Sequence, residues 1–203
     1  MEDALQKGLA ALRKGGLIVF PTETLYGLGC DARNEDALRR LYALKGRSAE
    51  GEAFKPPPVL VRDVAMLREW AEVPDVAQEL IALHWPGSLT LIVPALPHVS
   101  SLVAGLTDGR KTIGVRASAQ PLARALVEGL GGPIVATSAN LSGAQGAAAA
   151  PRILADVPAE VISGVDAALD GGAVGGVPST VVDCTQNQPR VLRVGAVALD
   201  FGR

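Results

Sequence analysis

The fold is decided by residues 17–27, which read LIVFPTETLYG. The first four, from Leu17 to Phe20, form a continuous apolar run between glycine and proline, which is typical of a strand buried on both faces. Polar residues and glycines follow, and they predict a loop from Pro21 to Gly29. Open α/β sheets usually bind ligands in loops that follow a strand. This segment therefore indicates an α/β fold with a ligand-binding loop beside its first strand.

Helices and strands alternate on both sides of this segment. Apolar periodicity and capping residues predict helices over Glu2–Lys14, Asn34–Leu44, Asp63–Trp70, Pro74–His84 and Pro121–Leu130. Short apolar runs predict strands over Val59–Val61, Leu89–Val93, Thr112–Arg116, Pro133–Ala136, Thr180–Asp183 and Val191–Arg193. One more helix is predicted within residues 147–157. Because the final third is rich in strands with short connections, we expect an α/β fold built on a mixed sheet.

The composition fits one domain over residues 1–203, because no stretch rich in proline, glycine and serine is long enough to act as a linker. A net charge of −2 and a pI near 5.7 argue against a surface built as a whole for nucleic acid. The acidic start lacks the order of a secretory signal, and the apolar runs are too short to cross a membrane. We therefore expect a cytoplasmic protein without membrane contact.

Residues that commonly bind metals are sparse. Cys30 and Cys184 are too few and too far apart in sequence for a disulfide framework or a four-ligand zinc site. His84 and His98 have no acidic or thiol neighbours at ligand spacing. A P-loop motif is absent, and the Gly-rich residues 171–176 lack the helix that a dinucleotide site requires. The sequence predicts no metal site built from protein ligands.

Lys45 and Arg47 stand two residues apart at the end of a predicted helix. Both could engage one anion if the backbone turns between them, which Gly46 permits. Basic residues also simply favour helix C-termini, where they are exposed to solvent. The spacing alone leaves both interpretations open.

A second polar group follows two predicted strands. Ser138 and Asn140 could donate hydrogen bonds to a phosphate or ribose, or they could cap the next helix or shape a turn. Thr22 and Thr24 have the same ambiguity. Tyr26 is more typical of a packed ring than of a substrate contact.

In combination, these segments resemble the YrdC family of threonylcarbamoyladenylate synthases. The most specific matches are P-T-[DE]-T-x-Y-G-L at 21–28, K-x-R at 45–47, S-x-N at 138–140 and S-T-V-V-D at 179–183. Further matches in order and spacing are H-W-P-G-x-L-T at 84–90, G-V-R at 114–116 and L-R-V-G at 192–195. The resemblance extends from about Gly15 to Gly195.

This resemblance implies a YrdC-like fold, a twisted, open, mixed α/β sheet with flanking helices and a concave basic cleft. In that cleft Lys45 and Arg47 would supply the positive charge for catalysis. The residues expected at ATP are Arg47, Thr112, Ser138, Asn140 and Arg193. Those expected at L-threonine are Thr24, Tyr26, Arg116, Ala136 and Ser179.

The implied activity joins L-threonine, bicarbonate and ATP into L-threonylcarbamoyladenylate and pyrophosphate, for the threonylcarbamoyladenosine modification of tRNA. A Mg²⁺ ion would be held mainly by the ATP phosphates. Partner proteins would complete the tRNA modification, and RNA itself is a further candidate partner. The larger relatives carry a second domain, so this chain would be the short, single-domain form. Two alternatives stay open: a non-catalytic module of the same fold that binds double-stranded RNA or tRNA, and a related carbamoyl-transfer enzyme.

The chain departs from the family pattern at four places. Relatives have a short link that contains Pro and an ATP-contacting Asn. This chain has the segment Ser48–Pro58 there instead, with no clear counterpart of that Asn. Arg62 stands where relatives often carry His, and Pro178 where they carry Glu. Gly146 stands where a phosphate-contacting Ser is common. These departures concern the contacts to threonine and triphosphate rather than the fold.

Overall fold

The computed structural model describes residues 1–47, 56–142, 149–199 and 201. The α-helices are α1 Glu2–Arg13, α2 Glu35–Leu44, α3 Val64–Arg68, α4 Asp75–His84, α5 Pro121–Leu130 and α6 Ala159–Gly164. The strands are β1 Ile18–Pro21, β2 Tyr26–Asp31, β3 Val59–Leu60, β4 Leu89–Pro94, β5 Ala104–Thr107, β6 Arg110–Arg116, β7 Ile134–Ser138, β8 Ala167–Ala168, β9 Thr180–Asp183 and β10 Arg190–Arg193.

These described strands form one mixed sheet. Its order is β10-β9-β4-β6-β3-β7-β2-β1-β8, and β5 pairs with β6 outside this path. The pairs β1–β8, β3–β6 and β4–β9 are parallel, whereas the other named pairs are antiparallel. The predicted mixed α/β sheet with flanking helices is confirmed.

Helices α1 and α5 pack together and against β1 near one end of the sheet. Two glycines let them approach closely, because a Cβ on Gly8 would lie 2.8 Å from the Leu126 side chain. A Cβ on Gly129 would likewise lie 2.7 Å from the Leu9 side chain. The apolar faces of both helices are therefore covered by protein. Within the described ranges, no helix has the length and apolar character needed to cross a membrane.

The predicted loop Pro21–Gly29 is wrong for much of its length, since the chain from Tyr26 onward forms β2. This strand is antiparallel to β1, with Phe20 opposite Gly27. Glycines bring no β-favouring side chain, so they hide the strand in the sequence. They also make room for Phe20, whose ring would lie 2.9 Å from a Cβ on Gly29. The connection between β1 and β2 is thereby reduced to residues 22–25.

We expect Gly29→Ala to destabilise the fold, with Gly27→Ala on the same strand as a matched control. A Cβ at residue 29 would lie 2.2 Å from the Val135 carbonyl oxygen, so the β2–β7 pairing must shift. A Cβ at residue 27 would lie 3.5 Å from its nearest neighbour, an ordinary contact. Overpacking of this kind costs about 1–3 kcal/mol. Urea unfolding should show that loss for Gly29→Ala alone, and equal stability of the two variants would contradict this packing.

The additional helix predicted within residues 147–157 is wrong for the part that the structure describes. The first two of these residues lie outside the described ranges, and the rest contain a short 3-10 helix at Leu154–Asp156. Pro151 cannot donate a helical hydrogen bond, and the Asp156 carboxylate accepts the Arg152 N–H at 2.9 Å. The chain is therefore held in a turn, and α6 begins only afterwards.

Strand β5 was not predicted, although the sequence contains a signal for it. Asp108 and Gly109 join β5 to β6 with φ values of 49° and 77°. An Asp-Gly pair between two strands is a strong indicator of a two-residue hairpin in which both residues need positive φ. Strand β8, also not predicted, has two residues and pairs with β1.

Candidate functional site

The turn between β1 and β2 carries two buried threonines. Thr22 Oγ1 donates to the Leu25 carbonyl oxygen at 2.7 Å and lies 2.9 Å from Thr24 Oγ1. Because Thr22 gives its single proton to Leu25, the Thr24 hydroxyl must donate to Thr22. Thr24 Oγ1 in turn accepts a hydrogen bond from Arg116 Nη1 at 3.1 Å. This hydrogen-bond chain fixes the turn and joins it to the end of β6.

Tyr26 is fully buried at the start of β2. Its hydroxyl accepts the Gly171 N–H at 3.0 Å and donates to the Gly172 carbonyl oxygen at 2.8 Å. Burial raises the pKa of this hydroxyl. The Gly176 N–H also donates to the Thr24 carbonyl oxygen at 2.6 Å. The Gly-rich segment 171–176 is therefore tied to the β1–β2 turn, and the Tyr26 hydroxyl serves that attachment.

Lys45 follows α2, and its side chain is buried, with 1% of the residue exposed. Nζ donates to the carbonyl oxygens of Ser138 and Asn140 at 2.7 and 2.8 Å, and to Asn140 Oδ1 at 2.8 Å. These contacts use all three N–H bonds of an ammonium. Burial, and next the charge of Arg47, lower the pKa of Lys45 to about 7. Lys45 thus holds the turn that follows β7.

That turn is built on Ser138 and Asn140. The Ser138 hydroxyl donates to Asn140 Oδ1 at 2.8 Å, and Asn140 Nδ2 donates to the Ala149 carbonyl oxygen at 2.8 Å. Both polar atoms of the Asn140 side chain are therefore engaged within the protein. Ser138 Oγ can still accept a hydrogen bond from a ligand.

Gly46 turns the backbone between Lys45 and Arg47, which the sequence permits but does not require. Its φ of 64° is one that glycine adopts most readily. The two basic side chains diverge there, since Lys45 is buried whereas Arg47 is exposed. Arg47 Nε donates to Ser142 Oγ at 3.1 Å. Of this pair, Arg47 is the cation that borders open space.

Arg116 ends β6 with only 6% of the residue exposed. Its guanidinium forms an ion pair with Glu23, and Nε donates to the Gly87 carbonyl oxygen at 3.2 Å. Nη1 donates to Thr24, as described above. A buried cation is tolerated only when it is paired and hydrogen-bonded, and these contacts meet that condition.

Ser179, just before β9, is held from two sides. Arg193 Nε and Nη2 donate to its carbonyl oxygen at 3.0 and 2.9 Å, and Nη2 lies 3.1 Å from Ser179 Oγ. Thr90 Oγ1 lies 2.8 Å from the same Oγ. Burial, and next the charge of Arg116, lower the pKa of Arg193. The guanidinium groups of Arg193 and Arg116 are thus close enough for their charges to repel.

These elements surround an open cavity of about 370 Å³, a size usual for small-molecule sites. The predicted residues that line it are Thr24, Tyr26, Arg47, Arg116, Ala136, Ser138, Ser179 and Arg193. Lys45 and Asn140 are not among its described lining. Their hydrogen bonds instead hold the turn that follows β7. Thr112 is also absent from that lining; it is buried, with Oγ1 2.9 Å from Thr107 Oγ1. The structure therefore brings most of the predicted residues to one cavity.

Sequence reasoning did not assign Glu23, Gly87 or Thr90 to the site, yet each contacts a predicted residue. Their place in the sequence could have indicated them, because each lies within a motif that carries the family resemblance, at 21–28 or at 84–90. Gly87 must be glycine, since a Cβ there would lie 2.4 Å from the His84 carbonyl oxygen.

The departures from the family pattern fall in different places. Gly146 and residues 48–55, the larger part of the segment Ser48–Pro58, lie outside the described residues. Arg62 Nε pairs with the adjacent Asp63 at 2.7 Å, and both side chains are 46% exposed. Pro178 lines the cavity beside Ser179.

A larger cavity, of about 930 Å³, lies between α4 and the chain after β9. Its described lining includes none of the predicted site residues. It carries three acidic side chains, those of Glu72, Asp75 and Glu79, beside the single cation Arg110. Like charges repel, so this cavity is poorly suited to an anionic ligand. The smaller cavity is the candidate site.

Comparison with known proteins places the chain among relatives of similar fold. The family model Sua5_yciO_yrdC, described as Telomere recombination, matches residues 10–195. A threonylcarbamoyl-AMP synthase from Bacillus subtilis (strain 168) is 38% identical over 195 residues, which cover 95% of this chain and 54% of the relative. Another from Idiomarina loihiensis is 39% identical over 194 residues, which cover 93% of this chain and 97% of the relative.

The crystal structure of P. abyssi Sua5 complexed with L-threonine matches with a TM-score of 0.83 at 35% identity. The match covers 94% of this chain and 54% of that chain. This chain thus spans about half the length of the B. subtilis and P. abyssi proteins. The family match, together with these identities, shows that the chain belongs to the Sua5/YciO/YrdC family.

Proposed function

We propose that this chain is a nucleotidyltransferase that forms L-threonylcarbamoyl-AMP and pyrophosphate from L-threonine, bicarbonate and ATP. The observation that carries the proposal is one cavity whose lining includes the guanidinium groups of Arg47, Arg116 and Arg193 together with the hydroxyls of Thr24, Ser138 and Ser179. The names of the two relatives and the threonine bound in the related structure support it.

The amino acid would lie between Thr24 and Ser179, with its carboxylate on Arg116. A guanidinium and a carboxylate form strong, charge-assisted hydrogen bonds. The small side chain of Ala136 leaves room in the cavity for the side chain of the substrate. The amine of threonine would then combine with bicarbonate, lose water and form a carbamate.

ATP would lie toward Arg47, Ser138 and Arg193. An oxygen of the carbamate would attack the α-phosphorus, the bond from that phosphorus to the bridging oxygen would break, and pyrophosphate would leave. Little covalent chemistry falls to the protein in such a step, so positioning and stabilisation of negative charge supply most of the acceleration. We assign that charge stabilisation chiefly to Arg47.

Three further predicted roles stay predictions. Lys45 would act through the turn that it holds, because its described contacts use every N–H bond of the ammonium. Asn140 would act in the same way. A contact between Thr112 and ATP requires its hydroxyl to leave Thr107.

Mg²⁺ would enter the site with ATP as part of the substrate. Within the described ranges, no group of three or more His, Cys, Asp or Glu side chains could hold a metal ion. Mg²⁺ usually keeps several waters and binds through substrate phosphates. The phosphate oxygens and water would therefore be its main ligands.

Purified protein supplied with ATP, L-threonine and bicarbonate should release pyrophosphate, and omission of threonine should abolish that release. A non-catalytic RNA-binding module would instead bind tRNA with steep salt dependence and release no pyrophosphate. A carbamoyl-transfer enzyme would consume carbamoyl phosphate without threonine. Either of these outcomes would contradict the proposal.

The product would serve the threonylcarbamoyladenosine modification of tRNA. Transfer of the threonylcarbamoyl group to tRNA would need partner proteins, and the chain would act in the cytoplasm, where ATP and tRNA are available. Direct RNA binding would be an additional property of the active enzyme. Salt-dependent tRNA binding together with threonine-dependent pyrophosphate release would support it, whereas tRNA binding without that release would contradict the proposed function.

A further inference from the structure

We propose that Glu23 is a positioning residue that orients the Arg116 guanidinium for the carboxylate of the amino acid, an inference that rests on the proposed function. Glu23 lies in the β1–β2 turn, and its side chain is 19% exposed. Its Oε1 forms an ion pair with Arg116 Nη2, and the Ser118 hydroxyl donates to its Oε2. Each carboxylate oxygen therefore has a partner.

The contacts of Arg116 leave a defined part of its guanidinium for a ligand. Nε donates to the Gly87 carbonyl oxygen and Nη1 donates to Thr24 Oγ1. Nη2 is buried against Glu23 and is held there by charge, as an ion pair without an aligned hydrogen bond. Of the two terminal nitrogens, Nη1 therefore keeps one N–H bond for the carboxylate of the amino acid. Because three separate protein groups hold Arg116, the orientation of its guanidinium is set before the amino acid arrives.

Glu23 also matters for the balance of charge. Arg116 is buried, and it lies close enough to Arg193 to lower the pKa of that residue. Glu23 offsets this repulsion through its ion pair with Nη2, the one nitrogen of the guanidinium that contacts neither Gly87 nor Thr24. Without the carboxylate, the guanidinium would lose its ionic partner and be repelled by its neighbour, so its orientation would relax. Glu23 itself is not in the cavity lining, which is why its role is to position rather than to bind.

The decisive test is Glu23→Gln, which keeps the shape of the side chain and removes its charge. We expect the KM for L-threonine to rise by about tenfold to a hundredfold, by analogy with the loss of a group that orients a metal-binding side chain. The KM for ATP should stay unchanged, and Glu23→Asp, which keeps the charge, should recover most of the threonine affinity. Glu79→Gln, the same change at an exposed position on α4, is the matched control.

The outcomes separate this inference from the proposed function. An active wild-type enzyme in which Glu23→Gln leaves the KM for L-threonine unchanged, or raises both KM values equally, would overturn the role of Glu23 alone. A wild-type protein without threonine-dependent pyrophosphate release would overturn both. If Glu23→Gln does not fold, Ser118→Ala removes the second partner of the carboxylate and should raise the KM for L-threonine more modestly. No such rise would overturn the inference.

Discussion

Replacing Arg47 with alanine should leave the fold intact and slow pyrophosphate release by about two to three orders of magnitude, as for removal of a group that stabilises charge in the transition state. Arg47 is exposed and lines the cavity, and its described side-chain hydrogen bond, to Ser142, is between exposed groups. The fold therefore depends little on it. The triphosphate, in contrast, would lose an exposed cation of the cavity lining.

Arg39→Ala is the matched control for this variant. Arg39 lies on α2, the helix that precedes Arg47, and its guanidinium is 4.0 Å from the Glu35 carboxylate on the exposed face. Exposed pairs of this kind contribute little to stability. Initial rates at saturating ATP and threonine should therefore be normal for Arg39→Ala and greatly lowered for Arg47→Ala. Near-normal rates for Arg47→Ala would remove Arg47 from the mechanism.

Replacing Lys45 with methionine should lower the free energy of unfolding by about 2–4 kcal/mol, because buried acceptors that lose their donor are costly. Methionine fills a similar volume but cannot donate to the carbonyl oxygens of Ser138 and Asn140. The turn after β7 should relax as a result. Activity should also fall, because Ser138 would no longer be held at the cavity.

Urea unfolding measures this loss, and Lys7→Met on the exposed face of α1 is the control for the loss of one positive charge. We expect Lys7→Met to unfold at the wild-type urea concentration. If Lys45→Met were as stable as Lys7→Met, Lys45 would not hold the turn. Its three hydrogen bonds would then have no structural importance.

Much of the fold could be predicted from local patterns. The helix caps are an example, since Asn34 Oδ1 accepts the Ala37 N–H at 3.0 Å and Asp63 Oδ1 accepts the Met66 N–H at 2.9 Å. Such caps act within one turn of chain, so the sequence alone contains the whole signal. Strand β2 was missed because its signal is not local: its glycines are explained by the Phe20 ring on the neighbouring strand.

The composition of the site could be predicted only in part, for a physical reason. Ser179 and Arg116 line the same cavity because β9, β4 and β6 are neighbours in the sheet, and the order of strands is set by packing of the whole core. The spacing of residues along the chain does not reveal this order of strands. Lys45 is buried and Arg47 is exposed, and this difference likewise depends on how the chain around Gly46 packs against the core. Residue type and motif identified both residues, but not which of them lines the cavity.

The most direct test of the account is a crystal structure of this chain with L-threonine and a non-hydrolysable ATP analogue. We predict both ligands in the cavity of about 370 Å³, with the threonine carboxylate on Arg116 and the phosphates near Arg47 and Arg193. Ligands bound on another face of the sheet, or an empty cavity at saturating concentrations of both, would contradict it.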